Sequence, residues 1–281
     1  MIFFIDLRKS LKLAPNIKKT QLKQIIIFVT IILTSFLLFS ISFYPLVNSD
    51  HVLNVLIAHD YSLPADVYCW DQDRGGTFIP LISQFFIKGF GMNALLSVSI
   101  SNYLILTLGF IGFSQLFTKQ RSILLFAIIW FFPYQRFIDI NVFPIGMSYS
   151  LIGFSIIFIL RINFQKHLLK FFPNLFYLGV IFGSWLAAVW VSDLIFISLI
   201  VFGINGFFYF LFNRKKILFD PKILLFIFVI FMVVIYFIIT YLKTYATAVT
   251  TDFGKLNSFE QVLEGIGIMK SKILGVLLFE E

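Results

Sequence analysis

Hydrophobic residues in this chain fall in long, nearly unbroken runs rather than at the spacing of one buried face. The runs cover 25–44, 94–117, 122–133, 144–160, 175–191, 194–212 and 223–241. Most approach the roughly 20 residues that a helix needs to cross a hydrocarbon core of about 30 Å. Backbone polar groups in such a core must be paired within their own segment, which leaves the helix as their form. The pattern therefore predicts an all-α polytopic membrane bundle of about seven transmembrane helices. The run 122–133 is short, and the following YQRFIDIN is read as completing it while dipping back toward the membrane. Together, 175–191 and 194–212 exceed one helix, which makes Ser192-Asp193 a tight turn.

The polar stretches between the runs supply an orientation. Of the 22 Lys and Arg, 15 fall in four segments accompanied only by the acids Asp6 and Asp220, whereas the remaining segments hold 7 basic residues and 12 acids. Cytoplasmic loops collect Lys and Arg in this way. The expected topology has the N-terminus in the cytoplasm and the C-terminus outside, in an inner (plasma) membrane. The whole chain, 1–281, then reads as one domain: a basic cytoplasmic segment 1–24, an external loop 45–93 with interface helices, the bundle, and an external segment 242–281. The run 25–44 is too long for a signal-peptide core and no small-residue cleavage site follows it. Composition agrees, with 59% hydrophobic residues, 13% charged and a mean hydropathy of +0.95. The net charge of +8 is explained by topology, so no nucleic-acid partner is expected. Cys69 is the single cysteine, which rules out an internal disulfide and reads as a small buried residue.

Chemistry gathers in 50–84, which carries five of the ten aspartates and two of the three histidines. Asp50 follows the first span closely and is placed at the membrane–water boundary. It begins a short helix, 50–59, in which Asp50, Asn54 and Ala58 form one stripe with His51 beside Asn54, while Leu53, Leu56 and Ile57 face away. Such a helix is expected to lie along the interface. Asp50 also suits an N-cap, and the two roles are compatible. Further on, Gly75 and Gly76 permit a tight turn with positive φ, after which Thr77 caps a helix reaching about Phe90. Free amides at that helix start, with Arg74 beside them, would seat a phosphate. Asp71 and Asp73 supply oxygens of the kind that hold Mg²⁺ or Mn²⁺, or else pair with Arg74 as solvated loop acids. Arg136 and Asp139 form a second polar group between the third and fourth runs, either a site or a salt bridge fixing the turn. Asp193 reads as a turn-former, and Trp70, Trp185 and Trp190 as an interfacial belt.

The order of these features, one span, an aspartate just beyond it, a long external loop with interface helices and then many spans, resembles the GT-C type of integral-membrane glycosyltransferases. The run YCWDQDRGGTFIPLISQ is similar to a loop of bacterial membrane proteins of that type. The resemblance implies transfer of a sugar from a polyprenyl-phosphate donor to a glycan, lipid or protein acceptor, with Asp50 as general base and His51 assisting it. Phosphate would be met by Arg74, Gly75, Gly76, Arg136 and Asp139, with Asp71 and Asp73 on the metal. His51 stands where many members carry a second acid. Members also usually continue into further spans, so a minimal module, a split subunit or a truncated non-catalytic subunit is an alternative. A transporter or flippase of lipid-linked saccharides is another, although it would favour ionisable residues near mid-membrane.

Overall fold

A computed structural model of the protein describes residues 19–43, 49–70, 75–132, 145–161, 171–212 and 221–246. Among them the fold is all helical. The helices are α1 (Lys19–Phe39), α2 (Ser49–His59), α3 (Phe78–Phe90), α4 (Ala94–Ser114), α5 (Gln120–Phe131), α6 (Ile145–Ile159), α7 (Phe171–Val191), α8 (Leu194–Phe212) and α9 (Pro221–Lys243). Four stretches are long and apolar enough to cross a membrane: Leu22–Phe39, Ala94–Ser114, Asn174–Val191 and Leu225–Lys243. Gln120–Phe131, Gly146–Ile159 and Leu194–Asn205 are apolar but shorter. The 12 residues of α5 rise only about 18 Å, and the expected completion of that crossing, YQRFIDIN, lies outside the described residues. On α1 and α9, Leu33, Leu37, Phe226 and Phe237 are each more than half exposed. Apolar surface on that scale is suited to lipid rather than water.

Side-chain pairings fix the direction of each long helix. Phe28 meets Phe110, Ser35 meets Tyr103, and the Ser42 amide donates to Ser99 Oγ, so α1 and α4 run antiparallel. Along α4 and α5 the pairs are Phe110–Phe131, Phe113–Trp130 and Phe117–Phe126, again antiparallel. Glycines of α4 meet α6 in parallel order, Gly109 at Ser150 and Gly112 at Gly153. Trp185 Nε1 donates to Ser155 Oγ at 3.0 Å and Phe158 meets Phe176, which reverses α7 against α6. Gly203 rests on Phe228 and Phe196 on Tyr236, reversing α9 against α8. The long helices therefore alternate in direction along the chain.

Close approach needs small residues. A Cβ on Gly112 would lie 1.7 Å from the Gly153 carbonyl oxygen, and one on Gly109 2.6 Å from Ser150 Cα. Without these glycines α4 and α6 could not touch backbone to backbone, the packing that membrane helices favour where lipid offers no hydrophobic drive. Several buried polar groups pair across helices. Ser35 Oγ reaches both Tyr103 OH and the Phe131 carbonyl, joining α1, α4 and α5 at one node. Trp185 belongs to this core at 6% exposed, which corrects its expected place in an interfacial belt. Its ring fills space beside Phe228 and Phe231 while Ser155 takes its N–H.

The helix ends follow local chemistry. α3 stops at Gly91, whose φ of 65° lets its N–H turn back to the Ile87 carbonyl. Two residues later Asn93 caps α4 by accepting the Leu96 amide at 2.8 Å. Ser192 and Asp193 make the expected tight turn, with Ile195 and Phe196 amides bonded back to their carbonyls.

Candidate functional site

The segment between α2 and α3 folds into a hydrogen-bonded knot tied to the end of α7. Asp66 is buried, and its carboxylate accepts the Ser62 amide at 2.7 Å and Trp70 Nε1 at 3.0 Å. Tyr68 and Gly76 form an antiparallel bridge, and the Cys69 amide donates to the Gly75 carbonyl at 3.0 Å. The chain is thus joined on either side of positions 71–74. Gly75 has the expected positive φ, 75°. Gly76 is needed for another reason, because a Cβ there would lie 2.2 Å from Trp190 Cδ1 and 2.4 Å from the Trp190 carbonyl oxygen. Two bonds cross between these distant parts of the chain: Gly76 N–H to Trp190 O at 2.9 Å, and Trp190 Nε1 to Val67 O at 2.9 Å. Phe78 adds an edge-on ring contact to Trp190.

Two expectations change at this point. The amide of Gly76 is taken by Trp190 and that of Thr77 by Val67 O, so neither is free to meet a phosphate. Thr77 stands at the helix boundary as expected, but its hydroxyl does not cap α3. It donates instead to the carbonyls of Asp66 and Val67, closing the knot from within. Tyr61 OH lies 3.3 Å from the same hydroxyl. Burial pushes the Tyr61 phenol above the usual tyrosine value of 10, the Asp66 charge adds to this, and the Thr77 bond acts against it. The folded state therefore holds this proton more tightly than the unfolded chain. Its contribution is complete below about pH 10 and is lost as pH rises through the folded value. In detergent, thermal unfolding should show wild type matching its neutral-pH margin over Tyr61→Phe up to about pH 10 and losing it as pH rises further.

α2 departs from its expected orientation. His51 and Asn54 are buried at 6% and 4% exposed, together with Ile57 and Ala58, whereas Val52 and Leu56 are 43% and 50% exposed. The polar stripe lies against protein and part of the apolar face lies outward. The inward face is held by Ile57 packing with Tyr61 and Cys69, and by Gln84 Nε2 donating to the Ala58 carbonyl at 2.7 Å. The inward face is thus the one that carries His51 and Asn54. Cys69 is buried, as expected.

Asp50 is the second residue of α2, one place inside the helix rather than at its cap, and its side chain lies outside the described residues. Asp71, Asp73, Arg74, Arg136 and Asp139 lie outside the described residues. Sequence reasoning gave no sign of Trp190 as an anchor, or of the ion pair between Asp193 and Lys243 that ties the α7–α8 turn to the end of α9. These contacts join positions 50 or more residues apart, and no local pattern announces them.

The fold defines an all-helical membrane protein in which one end of the bundle carries an ordered, partly buried polar segment. No protein-family model, curated protein or solved structure matches the chain.

Proposed function

We propose that the protein is a glycosyltransferase of the GT-C type, moving a sugar from a polyprenyl-phosphate carrier to a hydroxyl of a glycan, lipid or protein at the outer face of the plasma membrane. On this reading α1 and α4 to α9 are seven crossings with the N-terminus in the cytoplasm. The observation that supports it best is the reversed polarity of α2. The helical stripe to which the sequence assigns Asp50 is, at His51, Asn54 and Ala58, the buried one. A base working beside a lipid-borne substrate needs such a setting, shielded by protein on one side and close to lipid on the other.

Asp50 takes the proton of the acceptor hydroxyl while that oxygen bonds to the anomeric carbon. The bond from that carbon to the carrier phosphate breaks, the configuration inverts, and polyprenyl phosphate leaves with the electron pair. Arg74 or Arg136 offsets the charge that develops on the leaving phosphate. His51, buried and next to Asp50 in sequence, assists it. The knot joins the chain on either side of positions 71–74, and Asp71 and Asp73 are the groups that would hold Mg²⁺ or Mn²⁺.

The test is transfer of labelled sugar from polyprenyl-phosphate donors by the purified protein in liposomes. Asp50→Asn should lower transfer on the order of a hundredfold or more, with membrane insertion unchanged. Near-normal transfer in that variant would remove Asp50 from the mechanism. Movement of the donor across the vesicle wall without sugar transfer would identify a flippase instead.

A further inference from the structure

We propose that the protein binds an anionic phospholipid in the groove between α4 and α5, one acyl chain lying between the helices and the phosphate held by Lys119 and Arg121. The groove is about 200 Å³, open on one side, and lined by Phe113, Leu116, Phe117, Phe126 and Trp130 with no polar atom on its surface. Its walls are fixed by ring contacts: Phe117–Phe126 at 5.2 Å, Phe126–Trp130 at 5.3 Å and Phe113–Trp130 at 5.7 Å. Trp130 Nε1 is anchored to the Leu106 carbonyl at 3.0 Å, which holds the indole as a wall.

The end of the groove sets the charge of its occupant. Lys119 and Arg121 lie in and just after the α4–α5 turn, both exposed and both without an acidic partner among the described residues. The helix directions place Lys23 of α1 and Arg161 at the end of α6 at this same end of the bundle. No acid among the described residues lies at that end. An apolar trough with unpaired cations close to it in the chain, in the α4–α5 turn, matches a molecule with a long hydrocarbon chain and an anionic head. A zwitterionic lipid would satisfy the trough but not the cations. This site lies at the opposite end of the bundle from the polar knot, so it stands independently of the sugar-transfer reading.

The experiment uses the purified full chain, given phosphatidylglycerol and phosphatidylcholine of identical acyl chains, with adducts counted by native mass spectrometry. Phosphatidylglycerol adducts should exceed phosphatidylcholine adducts roughly tenfold, and Lys119→Gln/Arg121→Gln should erase that preference. Chain placement is read by fluorescence with phosphatidylglycerol brominated on one acyl chain. The quenched signal should include a component that is absent from Trp130→Phe and lost in Lys119→Gln/Arg121→Gln. Equal adducts of the two lipids in the wild type would overturn the proposal. So would a phosphatidylglycerol preference that survives the double substitution, or competition by glycerol 3-phosphate, which would mark a site for the head alone.

Discussion

Replacing Gly112 by alanine should unseat α4 from α6 and lower the unfolding temperature in detergent by about 10 °C, for a cost of about 3 kcal/mol or more. The added methyl would lie 1.7 Å from the Gly153 carbonyl oxygen and 2.4 Å from its carbon. Both atoms are backbone, so no side chain can rotate away and the helices themselves must part. Separation would also loosen Gly109 against Ser150 and Gly153 against Phe113. A control separates this effect from any general dislike of alanine. Gly179, inside α7, has nothing within 4 Å of a built Cβ. There alanine should be neutral or stabilising by up to about 1 kcal/mol, since glycine is the poorer helix former. Equal behaviour of the two variants would mean that α4 and α6 are not in backbone contact.

Gly76→Ala should release the knot from α7 while leaving the bundle folded. A Cβ would overlap Trp190 Cδ1 and Nε1 and also the Trp190 carbonyl oxygen. The ring could be moved aside; the carbonyl could not. For that reason Trp190→Ala is not expected to rescue Gly76→Ala. Release removes the Gly76 and Trp190 Nε1 bonds, each contributing about 0.5–1.5 kcal/mol, together with the packing of Phe78 on the indole. Hydrogen exchange is the sensitive measurement. Amides of Cys69, Gly76 and Thr77 should lose protection at least tenfold, with those of α4 and α6 unchanged. Unaltered protection at Gly76 would show that Trp190 does not hold the segment. Trp190→Phe, which keeps much of the ring but removes the donor to Val67, should fall between wild type and Gly76→Ala.

These two positions also mark how far the sequence could be read. Helix existence was plain, because long apolar runs have one outcome in a membrane. The boundary at Thr77–Phe78 was legible from Gly75-Gly76, and Ser192-Asp193 from the length of the runs beside it. The roles were not legible. Gly76 read as a phosphate-binding amide because its partner, Trp190, is 114 residues away in the chain and nothing local names it. Thr77 read as a cap because threonine at a helix start usually is one; two carbonyls of a folded-back loop compete for its hydroxyl instead. Which stripe of α2 would be buried was not legible at all. A period of 3.6 separates two stripes but does not say which of them meets the neighbouring helices. The length of α5 shows a third limit, since apolar composition gives a run but not where its helix breaks.

The inverted α2 has a practical corollary. Cut out and placed in water, a peptide covering Ser49–His59 would gain by hiding Val52 and Leu56 and hydrating His51 and Asn54, the opposite of its arrangement at home. Reagents raised against that peptide would learn the wrong side of it. Whatever recognises this segment in the intact protein must approach from the greasy flank or not at all.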